Sequence, residues 1–121
     1  MSVFRNYEQK VLNLLVSAVF SPQELNCIIQ DSELVDLEHT GSGYFLEVSH
    51  PSFPKERIVC HKPTVIGEAD GITCGFVVFI ENNNLTIECH DWGESDIAGD
   101  FRDKDVQVKA VTIEEGNFVD L

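Results

Sequence analysis

Cys60-His61 and Cys89-His90 repeat a Cys-His pair, with Cys74 between them. Zinc prefers thiolate and imidazole, so Cys60, Cys74, Cys89, His61 and His90 are the candidate metal ligands. Their spacing argues against such a site. Both pairs sit in strand-like stretches, where neighbouring side chains point to opposite faces. A Cys and its His cannot then reach one ion without a bulge. The knuckle of two close ligands used by structural zinc sites is absent as well. Cys89-His90-Asp91 holds the residue types of a thiol triad, yet three consecutive strand residues diverge instead of converging. Gly41-Ser42-Gly43 matches neither the dinucleotide fingerprint nor a P-loop. The sequence therefore points to no catalytic residue and no cofactor. A metal- or thiol-dependent enzyme built on the Cys-His pairs remains the alternative reading.

The other chemistry in the chain is charge. Twenty-one acids against eight Lys plus Arg give a net charge of −13 over 121 residues, with a pI near 4.4. Such a field repels nucleic acid and anionic membrane and attracts basic proteins. From Glu88 to Asp105 there are seven acids against Arg102 and Lys104. They lack the spacing of a calcium loop. Trp92 and Phe101 lie among them, and aromatics ringed by charge are common interface anchors. The expected partner-binding residues are therefore Asp91, Trp92, Glu94, Asp96, Asp100, Phe101 and Asp103. The plainer reading is a solvated acidic loop whose Trp92 caps the sheet.

The elements that must position these residues are legible in the hydrophobic periods. Thr73–Trp92 reads as a hairpin closed by Asn82-Asn83, because Asn tolerates positive φ. That register pairs Ile80 with Leu85, Val78 with Ile87 and Phe76 with Cys89 on an apolar face. Phe79, Val77, Gly75, Thr86, Glu88 and His90 fall on the other. Upstream, Phe4–Phe20 has helical spacing, with Phe4, Tyr7, Val11, Leu14, Leu15 and Ala18 on one stripe and Glu8 away from it. Ser21-Pro22-Gln23-Glu24 has the form of a capping box for a second helix, about Pro22 to Gln30. Residues 34–49 read as a hairpin around Gly41-Ser42-Gly43. Arg57–Lys62 reads as a strand closed by Pro63, Val65-Ile66 as a short edge piece, and Val106–Ile113 as the last strand before a tail loosened by Gly116.

The expected fold is a single α+β domain, 1–121, with an N-terminal helix pair packed on one face of an antiparallel sheet of about six strands. The four cysteines include no C-x-x-C pair, and the N-terminus has no signal-peptide pattern, so the chain reads as cytoplasmic with reduced thiols. The expected function is a non-enzymatic acidic binding or inhibitor protein that holds a basic protein partner. An immunity protein neutralising a nuclease-type toxin has this character, and an accessory subunit is the weaker option. Neither nucleic acid nor membrane is an expected partner.

Overall fold

The computed structural model describes residues 2–92 and 97–121. Two helices, α1 (Asn6–Leu15) and α2 (Pro22–Asp31), precede seven strands: β1 (Glu33–His39), β2 (Gly43–Ser49), β3 (Ile58–Ala69), β4 (Ile72–Glu81), β5 (Asn84–Asp91), β6 (Gln107–Glu114) and β7 (Asn117–Asp120). The strands form one antiparallel sheet in the order β1-β2-β5-β4-β3-β6-β7. The helices pack on one face, where α1 lies over β3, β4 and β6. This is the expected α+β arrangement.

The β4–β5 hairpin has the register its sequence predicts. Ile80 pairs with Leu85, Val78 with Ile87 and Phe76 with Cys89. Asn82 (φ 54°) and Asn83 (φ 65°) take the left-handed turn positions, whose twist matches that of the flanking strands. Ser21 caps α2 as expected, accepting from the Glu24 N–H at 3.1 Å, while the Glu24 carboxylate accepts from the Ser21 N–H at 3.0 Å.

Three features differ from the sequence reading. The sheet has a seventh strand, because Glu115 (φ 51°) and Gly116 (φ 81°) close a two-residue turn that brings β7 back onto β6. Val65-Ile66 is no edge piece. It belongs to β3, which runs through Pro63 and is paired on both sides. The register between β3 and β4 shifts between Cys60 and Val65, so Pro63, which has no N–H to offer, drops out of that ladder instead of ending it. Finally, α1 stops at Leu15. The N–H groups of Val19 and Phe20 both turn back to the Val16 carbonyl, making a tight turn where the helix was expected to continue.

The core lies between the helices and the inward residues of the strands. Tyr7, Val11, Leu12 and Leu15 of α1 and Leu25, Ile28 and Ile29 of α2 meet Tyr44, Leu46, Val48, Phe76, Val78, Ile80, Leu85, Ile87 and Cys89. The buried stripe of α1 is rotated from the predicted one. Leu12 is inside, Ala18 is exposed, and Glu8 is completely buried. Glu8 can be there because Arg102 reaches it from the 3₁₀ turn Phe101–Asp103. Its Nε donates to Glu8 Oε2 and its NH2 to Glu8 Oε1, both at 2.9 Å. Tyr44 Oη donates to Glu8 Oε2 (2.6 Å) and is itself bonded to Tyr7 Oη, and the Arg5 N–H donates to Glu8 Oε1 (2.7 Å). A buried carboxylate with four donors is satisfied, and the network ties α1, β2 and the segment before β6 together.

Candidate binding face on the open side of the sheet

Strand alternation sends every second side chain of this sheet away from the helices. In β1, β2, β5 and β4, four contiguous strands, there is no Lys or Arg at all. Their acids are Glu33, Asp36, Glu38, Glu47, Glu81, Glu88 and Asp91. Tyr44, Leu46 and Val48 point into the core, so Phe45 and Glu47 point out, and their register partners follow. Asp36 stands opposite Glu47, Glu38 opposite Phe45, and Phe45 opposite Glu88, which in turn faces Val77. All of these acids except Asp91 therefore lie on the helix-free side, and Asp91, paired with Cys74, alternates to the other.

Apolar groups are interleaved with the carboxylates. Phe45 is 37% exposed and Trp92 38%, Val59 is exposed, and Val77 and Phe79 are half-buried. Trp92 follows β5 and lies across Gly75. A Cβ at Gly75 would meet the Trp92 ring and the His90 ring, each at 2.6 Å. Only glycine admits both rings so close to the backbone. The Trp92 ring is 5.7 Å from His90 and meets the Phe118 ring edge-on at 5.4 Å. Phe118 belongs to β7, and three strands separate it from β5. On a flat sheet that is about 19 Å, at roughly 4.8 Å per strand. The sheet therefore curls toward the open side and makes that face concave around Trp92. Ile66, paired with Gly75, is fully buried there although it lies outside the helix-side core.

The open face also carries Lys109 of β6, ion-paired with Asp120 at 2.9 Å, but over β1, β2, β5 and β4 few charges are neutralised by neighbours. Glu47 accepts from Asn84 Nδ2 (2.7 Å), Glu88 stands 3.4 Å from His90 Nδ1, and Arg57 approaches Glu81 at 3.7 Å. His90 Nδ1 has no hydrogen-bond partner among the described residues. Like charges directly opposite one another, as Asp36 and Glu47 are, destabilise a sheet.

The structure divides the residues expected to form a partner site. Trp92 and the neighbouring His90 lie on the open face. Phe101 was expected to be an interface anchor, but it is fully buried in the helix-side core and serves to fasten its own segment. Asp103 is ion-paired with Arg5 at 2.7 Å, and Asp100 lies 3.9 Å from Lys104, which also holds Asp70 at 2.7 Å. These contacts belong to the α1 side. Asp91 is half-buried, its N–H donating to the Ser42 carbonyl (2.7 Å), and the Ile97 N–H donates to Gly41. Asp91 and Ile97, on either side of residues 93–96, are thus both bonded to the β1–β2 turn. Glu94 and Asp96 lie outside the described residues.

The thiol and metal candidates do not converge either. Cys60, Cys74 and Cys89 are buried toward the helices, while His61 is exposed and His90 points to the open face. Among the described residues, no three of His, Cys, Asp and Glu are grouped to hold a metal ion. A hydrogen bond with Cys74, then burial, pushes the Cys89 thiol far above its ordinary range, and burial raises Cys60 as well. Thiols held protonated are poor nucleophiles.

Sequence reasoning missed Asp36, Glu38, Glu47, Phe45 and Phe79 as members of one surface. The available signal was acids at alternate strand positions with no Lys or Arg across four strands. It needed the strand order to be seen, because β1-β2-β5-β4 is not the order along the chain. Comparison with family models, with curated proteins and with solved structures finds no match to this chain.

Proposed function

We propose that this protein is a non-enzymatic acidic binding protein that captures a basic protein on the open, concave face of its sheet. An immunity protein that neutralises a nuclease-type toxin works in this manner. The observation that carries the reading is the composition of that face. Six carboxylates, those of Glu33, Asp36, Glu38, Glu47, Glu81 and Glu88, lie over four strands without a single Lys or Arg, around exposed Phe45 and Trp92. A field dominated by one sign over these four strands speeds capture of an oppositely charged partner, and the aromatics supply the desolvated contact that holds it. A nuclease surface made to grip phosphates would meet carboxylates at comparable density. Acids needed only for solubility have no reason to include a directly opposed pair such as Asp36 and Glu47.

The test is association kinetics with the basic protein that co-purifies from the native cell, at low and high salt. The double variant Asp36→Lys/Glu88→Lys should associate at least about tenfold more slowly at low salt and lose most of the salt dependence. Trp92→Ala should mainly speed dissociation. If the reversed variant associates as fast as the parent at both salts, the face is only a solvated surface.

A further inference from the structure

The sheet has two edges, and they are unlike. One is β7, only four residues long. The other is β1, seven residues of sequence Glu-Leu-Val-Asp-Leu-Glu-His, in which every residue but Leu37 is exposed. Nothing in the described structure lies against it. An open edge normally carries charged side chains, Pro or a bulge that prevents another strand from adding, and acids here exclude a like-charged strand but not a basic one. This one has a bulge near its start, between Leu34 and Asp36, but no proline and no basic residue. From Asp36 to His39 the pairing with β2 is regular. The Thr40 N–H to Gly43 carbonyl bond (3.0 Å) fixes the phase of that ladder. Hydrogen-bonded pairs alternate in an antiparallel ladder, so Asp36 and Glu38 turn their backbone groups to β2, while Leu37 and His39 turn theirs outward.

The charges along the edge select what could add to it. Glu33, Asp36 and Glu38 all point to the open face, whereas Leu37, paired with Leu46, points to the covered one. At the Glu33 end, a pocket of ≈ 410 Å³ is lined by Asp31, Glu33, Ser49, His50, Pro51 and Asn84, with no Lys or Arg in its wall. At the other end the β1–β2 turn accepts from the Asp91 N–H at Ser42 and from the Ile97 N–H at Gly41. A second copy of this chain pairing antiparallel about Leu37, whose backbone groups turn outward, would set Asp36 of each copy directly against Glu38 of the other, and like charges directly opposite disfavour that pairing. A strand with basic residues at alternate positions would match. Its cations would fall beside Asp36 and Glu38 on the open side, its apolar residues beside Leu37 on the other, and its end would reach the Asp31–Glu33 pocket.

We infer that β1 is a docking edge that takes an extended, alternately basic and apolar segment of the protein partner as an eighth strand. The inference rests on the reading of the chain as a binder of basic protein and names the part of the partner it grips first. Main-chain hydrogen bonds supply the affinity of such strand addition, and the acidic row supplies the selectivity.

The probe is a capped peptide of about eight residues alternating Lys and Val, beside the same peptide methylated at its backbone nitrogens. Amide hydrogen exchange of the full chain reads the edge directly. The unmethylated peptide should slow exchange at Leu37 and His39 and bind about tenfold or more tightly than the methylated one, which has the same charge but lacks the donors. His39→Pro removes an outward N–H without touching the β1–β2 ladder, and should weaken the peptide about as much while the melting temperature holds. Equal binding of both peptides would overturn the edge, leaving the acidic face as a purely electrostatic site. Protection of Leu37 and His39 that rises with protein concentration alone would overturn it in favour of self-pairing. Strand-like binding of the peptide with no basic protein partner captured would sustain the edge and sink the wider function. Failure of the peptide alone would do the reverse.

Discussion

The two faces of this sheet are built from alternate residues of the same strands, yet they follow opposite rules. On the covered face Leu46, Ile87 and Val78 form a row of buried aliphatic groups across three strands. One residue along, the open face sets Glu47 beside Thr86 and Phe79, and next to them Phe45 beside Glu88 and Val77. The covered face is what hydrophobic burial selects. The open face keeps a direct Asp36–Glu47 opposition that stability alone would disfavour. A feature that a fold retains against its own stability is where function is to be sought. The same contrast separates the two sets of charges. Glu8 and Arg102 are inside, with the carboxylate fully bonded, and are structural. Asp36 and Glu38 have no ion-pair partner among the described residues, and Glu88 has only His90 at 3.4 Å.

The largest effect expected from breaking the comparison is on the covered side. Arg102→Ala leaves Glu8 buried among Tyr7 and Tyr44 without its cation, and should cost about 3–5 kcal/mol. Glu8 accepts both guanidinium bonds at 2.9 Å, and the hydroxyls that remain cannot replace them. Chemical denaturation measures it, and a loss under about 1 kcal/mol would mean that the network is dispensable.

Ile87 and Thr86 test the faces one residue apart on the same strand. Ile87→Ala opens a cavity in the core and should cost about 2–5 kcal/mol. Thr86→Ala, on the open face, should stay within about 1 kcal/mol. Comparable losses at the two positions would show that the open face is packed after all, and that its role in binding must be abandoned.

How much of this was legible in the sequence follows from the range of the determinants. The β4–β5 hairpin and the Ser21 cap could be read because the residues that decide them are neighbours: Asn82-Asn83 between two alternating runs, and Ser21 three residues before Glu24. The burial of Glu8 could not, because its partner Arg102 is 94 positions away. Phe101 was misplaced for a related reason. In a run of acids it reads as an exposed anchor, and only the packing of its segment under α1 puts it inside. The candidate face was dispersed along the chain, since Asp36, Glu47 and Glu88 become neighbours only through the β1-β2-β5 order. Trp92 was singled out from the sequence, but its setting over Gly75 and against Phe118 depends on the curl of the whole sheet.

A smaller effect belongs to α2. Ser21→Ala removes the oxygen that accepts the Glu24 N–H and should cost about 1 kcal/mol. The hydrogen bonds from Ser21, backbone first, hold the Glu24 carboxyl below its usual 4.5. A carboxyl depressed in the folded state adds stability that is present above its unfolded pKa and is lost as the pH falls through the folded one. The cap should therefore weaken in acid, and the difference between Glu24→Gln and the parent should shrink below about pH 4. A difference that grows there would reverse the sign and remove the capping box as its source.

The smallest expected effect has the opposite sign, and it bears most on the open face. Asp36→Asn keeps the shape of the side chain and removes one member of the opposed Asp36–Glu47 pair. If that opposition is unrelieved, the variant should be more stable than the parent by about 0.2–1 kcal/mol. The gain should fade at high salt, because exposed charges are screened over roughly 10 Å at 0.1 M. Glu47 has its own partner in Asn84, so it is not released into a new contact when Asp36 is neutralised. A cross-check comes from Asp103→Asn on the α1 side. There the acid is paired with Arg5 at 2.7 Å, and the same chemical change should bring no gain. Denaturation midpoints of the two variants at low and high salt decide the matter. If both change alike, the open-face acids are no more frustrated than the rest of the surface, and the argument that they are kept for a partner loses its footing.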